Sequence, residues 1–324
     1  MLRRVCKGMA VGSRITLFDG GTGEELFKRG VEEDRKIWSA VAIVKPEYHG
    51  TVVDVHRSYI EAGCDVVTAN NFGVTPGVGF AVADMMELSA KAVELAKEAR
   101  DGAGREHVRV ACSLPPLVES YRPDLVMKDE VHGADIYRQL GLATAPDADV
   151  FMAETLSSVR EMSMAVRAVQ NLGKPVFASW TLREDGRLRS GETVTEAVLA
   201  LLELTETSQC LEGIIFNCCE PESVSRAFNE LLTADNPARE RMLKRSVKLG
   251  ANPNALTPVD PNWTLAENPE PQPFRTDLNP SVFVTSFARA WAHQIPFGLI
   301  LGGCCGLGPE YISALYKLRQ DLSR

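Results

Sequence analysis

Eight cysteines in a chain of 324 residues, four of them in adjacent pairs, are where this sequence first offers chemistry. Cys218 and Cys219 sit in FNCCEP, and Cys304 and Cys305 sit in ILGGCCGLG, wrapped by Gly302, Gly303, Gly306 and Gly308. Successive side chains of an extended strand face opposite ways, so Cys304 and Cys305 can serve one ion only where the backbone turns. The glycines permit that turn, because glycine tolerates backbone angles closed to other residues. In FNCCEP one cysteine is expected to face inward and its neighbour to face the helix layer. Three converging thiolates suit zinc and leave a tetrahedral ion one open position, the arrangement of a catalytic rather than a structural site. Polar candidates recur at similar places: Asp19 in FDGGTG, Asn70 and Asn71 in TANNF, Glu154 in MAET, Ser179 and Trp180 in ASWT, Asn217 in FNCC and Asn252 in GANPN.

Plainer readings apply to the rest. Cysteine is among the most buried residue types, so Cys64, Cys112 and Cys210 are read as core filler and Cys6 as a loose terminal residue. His49 and His56, seven apart on a predicted helix, read as a packed or solvated face. GGTGEEL resembles a phosphate-binding turn but lacks the third glycine of GxGxxG and the lysine of a P-loop, which argues against a nucleotide there. Asp19 and Glu154 have a structural reading too, as buried carboxylates capping neighbouring backbone.

The elements that must position these residues alternate. Short apolar runs occur at Arg14 to Gly20, Cys64 to Phe72, His107 to Leu114, Ala148 to Thr155, Pro175 to Thr181, Gly213 to Cys219, Ser246 to Pro253 and Phe297 to Cys305. Segments such as SSVREMSMAVRAVQNLGK and TVTEAVLALLELTETSQ lie between them, with apolar residues at steps of three and four and a Ser or Thr available as N-cap. Continuously apolar strands suit a parallel sheet buried on both faces, and eight βα units predict a single-domain (β/α)₈ TIM-type barrel over residues 1–324, with an open doubly wound sheet as the alternative. In a barrel, chemistry gathers at the C-terminal ends of the strands, where every motif above falls. One segment breaks the rhythm: residues 251–280 hold seven of the 18 prolines, the mark of a functional loop, here expected to act as a lid.

A net charge of −8 with no basic cluster excludes a nucleic-acid footprint. No run reaches the roughly 20 apolar residues of a membrane span, and the N-terminal stretch does not read as a secretory signal. Clustered cysteines without a signal point to reduced thiols in the cytoplasm.

Together, LFDGGTGEEL, MAET, GIIFNCCEP and ILGGCCG resemble the zinc-dependent homocysteine S-methyltransferase family, in order and from about Thr16 to the last helix. The resemblance implies a (β/α)₈ barrel and zinc bound by Cys218, Cys304 and Cys305, with Cys219 outside the ligand set. It also implies that Asp19, Gly20, Gly21 and Glu154 bind the amino-acid end of L-homocysteine. TANNF and SW depart from the family pattern, at Asn70 and Trp180 of the expected substrate pocket. The shorter members of the family use sulfonium donors, which favours S-methylmethionine, with S-adenosylmethionine as rival. A cationic donor is attracted to an aromatic face, so Trp180 or Trp263 is expected beside the transferred methyl. Two other functions stay open: a thiol redox enzyme using the vicinal cysteines, and a non-catalytic zinc scaffold closed by Cys219.

Overall fold

The computed structural model describes residues 10–257 and 272–324; Cys6, Trp263 and the centre of the proline-rich segment lie outside the described residues. Eight parallel strands form, one in each predicted run: β1 (Ile15–Leu17), β2 (Val66–Thr68), β3 (Arg109–Leu114), β4 (Val150–Leu156), β5 (Val176–Trp180), β6 (Leu211–Asn217), β7 (Lys248–Asn252) and β8 (Leu299–Leu301). From β2 to β8 each strand pairs with the next, and β8 pairs with β1. Between β1 and β2 a parallel bridge joins Phe18 to Val66, with the Asp65 N–H donating to the Leu17 carbonyl at 2.7 Å and the Asp19 N–H to the Val66 carbonyl at 3.1 Å. The sheet therefore closes as a single-domain (β/α)₈ barrel, and the open-sheet alternative is excluded.

Helices form where the caps and periodicity place them. Val159–Val169 starts on Ser158, whose Oγ accepts the Glu161 N–H at 3.1 Å. Val194–Leu204 starts on Thr193, in a reciprocal capping box with Glu196. No helix among the described residues is long and apolar enough to cross a membrane.

Alternation along the strands sorts the core into two shells. Phe18, Val150, Met152, Phe177, Ile215 and Ile300 belong to the cluster inside the barrel, while Leu17, Phe151, Ala178, Trp180 and Phe216 pack outward against the helices. At the N-terminal end Arg109 meets Glu212 with two hydrogen bonds, of 2.7 and 3.0 Å, and Lys248 joins Glu212 at 2.9 Å, so one carboxylate ties two cations across this floor. At the other end the period of two puts Glu154 above Met152 and Asn217 above Ile215, carrying polar groups into the mouth.

One buried carboxyl ties stability to pH. Glu161 accepts the N–H and hydroxyl of Ser157 at 2.7 and 2.8 Å, and burial pushes its pKa up to about 7. In the unfolded chain it ionises near pH 4. Its folded pKa is the higher one, so its contribution is complete below about pH 4 and is lost as pH rises through about 7, at a cost of about 3 kcal/mol. Glu161→Gln keeps the acceptor oxygen and removes the charge. Its thermal midpoint should fall less between pH 5.5 and 8.5 than that of the wild type; equal falls would show that Glu161 does not titrate there.

Candidate active site

The two cysteine motifs meet at the mouth. The Sγ atoms of Cys218, Cys304 and Cys305 lie within 4.8 Å of one another, the one such convergent group of metal-ligand side chains among the described residues. Cys218 and Cys304 are joined as a disulfide, and the Cys305 sulfur lies 4.0 Å from that of Cys304. The covalent pair thus links two strand ends rather than the vicinal residues that a redox enzyme was expected to use. Cys219 faces away, buried in the strand–helix core, and lies outside the converging set.

Local backbone explains the convergence. After β8 the chain leaves the sheet and turns, with the Leu307 N–H donating to the Cys304 carbonyl at 3.0 Å and Gly306 at φ +78°. The Cys304 N–H donates to the Pro253 carbonyl and the Ala255 N–H to the Cys305 carbonyl, each at 2.8 Å, so the segment after β7 clamps this turn. After β6, Cys218 itself takes φ +50°, and its carbonyl accepts the Thr181 hydroxyl at 3.1 Å. A non-glycine residue held there costs on the order of 1 kcal/mol or more and persists only where its surroundings enforce it. Once reduced, three soft sulfur donors with an open side toward a cavity fit a zinc ion.

That cavity, about 470 Å³, also takes in Asp19 and Glu154. Asp19 accepts the Thr68 N–H at 2.6 Å and the Thr68 hydroxyl at 3.1 Å, yet burial, with the nearby Glu154 adding repulsion, pushes it up to about 8. Burial likewise pushes Glu154 up to about 7, against the Ser113 hydroxyl. Neither carboxyl forms an ion pair with Lys or Arg among the described residues. The arrangement leaves room for a cationic group from a ligand.

Asn217 couples the halves of the site, a role its place in FNCC did not reveal. Its Oδ1 accepts the Thr155 N–H at 2.9 Å and the Ser179 hydroxyl at 2.6 Å, and its Nδ2 donates to Thr155 Oγ1 at 2.8 Å. Thr155, next to Glu154, is thereby held at φ +60°, one residue-pair away from Cys218 across the same amide. The sequence carried no signal for it: Ile214 and Ile215 are both buried, and only the structure shows that Ile215, two residues before Asn217, is the inward one.

Of the other expected residues, Asn70, Gly20 and Gly21 line the cavity and Trp180 does not. Asn70 lines the cavity, but its amide is engaged with Ser39, donating to the backbone carbonyl at 3.0 Å and accepting the hydroxyl at 2.9 Å, so it anchors the Trp38 to Ala40 turn. Gly20 and Gly21 line it too, but the Gly21 N–H donates to the Leu307 carbonyl at 3.1 Å. Gly21 therefore serves as clearance, since a Cβ there would come within 2.8 Å of the Cys304 carbonyl oxygen. Trp180 is fully buried outside the cavity, its indole N–H donating to the Ser158 carbonyl at 3.2 Å. The aromatic residues that do line the cavity are Phe27, Trp38, Phe72, Tyr121 and Phe274. Phe274 belongs to the proline-rich segment, whose two described ends are pinned together by a bridge between Leu256 and Phe274 beside the Cys305 turn.

Known proteins resemble this chain over nearly its whole length. Homocysteine S-methyltransferase 1 of Arabidopsis thaliana is 25% identical, over 100% of this chain and 96% of its own length. Its Brassica oleracea namesake is 25% identical over 98% and 95%. The metallated form of the Escherichia coli homocysteine methyltransferase MmuM shares the fold, with a TM-score of 0.72 at 21% identity over 94% of this chain and 96% of that one. Residues 16–318, spanning β1 to the helix Pro309–Asp321 and every residue of the cysteine cluster, match the homocysteine S-methyltransferase family, and the chain belongs to that family.

Proposed function

We propose that this protein methylates the sulfur of L-homocysteine to give methionine, with Zn²⁺ held by reduced Cys218, Cys304 and Cys305 and with S-methylmethionine as the preferred donor. The observation that carries the reading is the shared cavity: three converging thiols on one side and two carboxyls without a cation on the other. An amino acid with a terminal thiol is complementary to both. Bound zinc would keep the substrate sulfur deprotonated at neutral pH, where a free thiol is mostly protonated.

The chain's own residues do the rest. Asp19 and Glu154 receive the substrate ammonium, which supplies the positive charge their site lacks. Asn217 fixes the spacing between that grip and Cys218. The buried walls exclude water, and the aromatic residues of the mouth face a cationic donor. The methyl carbon leaves the donor sulfur, whose electron pair stays behind to make a neutral thioether, and bonds to the homocysteine sulfur. No side chain is needed as acid or base in that step.

The cavity is small for a site that takes two substrates, since pockets of about 300 to 1,000 Å³ are usual for one drug-sized ligand. That favours S-methylmethionine over S-adenosylmethionine. Methionine formation from homocysteine, with S-methylmethionine, S-adenosylmethionine and betaine offered side by side, should be fastest with the first and slight with the last. A preference for betaine would overturn the donor assignment. Thiol redox chemistry is the rival reading, and zinc content after reduction separates the two: a reduced protein that takes up no zinc would favour redox.

A further inference from the structure

Glu24 is a carboxylate that neither the sequence motifs nor the proposed mechanism uses. It stands in the first turn of the helix Thr22–Lys28 and lines the same cavity as Cys304 and Cys305. Its Oε2 is buried and has no hydrogen-bond partner among the described residues. Lys28, one turn on, is hydrogen-bonded to Glu25 at 2.7 Å instead. The backbone is shaped to admit this side chain: a Cβ on Gly21 would come within 2.7 Å of Glu24 Oε2 and 2.8 Å of the Cys304 carbonyl oxygen. The carboxyl therefore folds back over Gly21 against the cysteine turn, with the Cys305 thiol beside it but no hydrogen bond of ordinary geometry to its Oε2.

A buried oxygen without a partner costs about 1 to 3 kcal/mol, more if charged, and a ligand that satisfies it recovers that cost. Three ligands come to this cavity on the methyl-transfer reading, on which the present inference rests. The metal is served by three sulfurs whose convergent set does not include Glu24. The homocysteine ammonium is served by Asp19 and Glu154. The third ligand is the methyl donor, whose reacting centre must approach the cysteine cluster, where Glu24 waits.

We propose that Glu24 recognises the positive charge of an onium methyl donor and thereby selects sulfonium compounds over neutral methyl carriers. Glu24 exchanges no proton and forms no bond in this role. It draws the sulfonium toward the thiolate and loses its hold when the methyl leaves, because the product thioether is neutral.

The test compares wild type with Glu24→Gln, both zinc-loaded, using S-methylmethionine and the neutral alkylating agent methyl iodide. The expected result is a KM for S-methylmethionine raised at least tenfold. The enzyme-dependent rate with methyl iodide, the zinc content and the homocysteine Kd should all stay unchanged. An unchanged KM, an equal loss with methyl iodide, or a loss of zinc would overturn the assignment, the last two by showing that Glu24 acts through Cys305. If wild type catalyses no methyl transfer from either donor, it is the methyl-transfer reading that fails. Calorimetric titration of S-methylmethionine into both proteins needs no turnover and still decides Glu24, since equal affinities would refute its role.

Discussion

Cys304→Ala should leave a folded barrel that neither retains zinc nor makes methionine, and Cys218→Ala and Cys305→Ala should do the same. Each supplies one of three sulfurs within 4.8 Å of one another, and two remaining thiolates cannot complete the protein's share of a tetrahedral site with one open position. The backbone around each cysteine is held by main-chain hydrogen bonds, so the loss should fall on the metal rather than on the fold. Cys219→Ala is the control: its side chain lies in the strand–helix core, and its zinc content should match that of wild type. The measurement is zinc per chain after reduction, with methionine formation alongside. Full zinc in the Cys304 or Cys305 variant would remove the cluster from the reaction.

The second large effect is expected at Glu154. Glu154→Gln preserves the shape of the site and removes the charge that would meet the homocysteine ammonium. Breaking a buried charge pair typically costs about 3 to 5 kcal/mol, which corresponds to a homocysteine Kd weaker by roughly 10²-fold to several thousand-fold. Zinc content should not change, because Glu154 is not among the three converging ligands. A homocysteine Kd within a factor of two or so of wild type would return Glu154 to a structural role.

The barrel was legible because its strands are buried on both faces and read as unbroken apolar runs between capped helices. The same property hid the parity of each strand. All five residues of β5 are buried, so nothing in VFASW says whether Ser179 or Trp180 faces the interior. Phe177 turns out to lie inside the barrel, which sends Ser179 inward to Asn217 and Trp180 outward to the helices. Strand ends were over-read for a related reason. The run through TANNF continues past β2, but Asn71 replaces the ladder with its side chain, donating to the Ser113 carbonyl at 2.9 Å and accepting the Ser113 N–H at 3.1 Å. The cysteine cluster was visible because paired cysteines among glycines have few packing explanations. Glu24 was not, because a glutamate in the first turn of a helix is ordinarily a favourable surface charge against the macrodipole.

The cluster also carries a record of synthesis. Cys218 and Cys304 are 86 residues apart, and β8 must insert between β7 and β1 before they meet. At about 5 to 20 residues per second, a ribosome takes roughly 4 to 17 s to pass from one to the other. Throughout that interval Cys218 is on a nascent chain whose barrel is still open, and no three-sulfur site exists. An ion held by all three sulfurs therefore cannot guide the early strands into place. It arrives at a finished enclosure, and its uptake counts the molecules in which the last strand has docked.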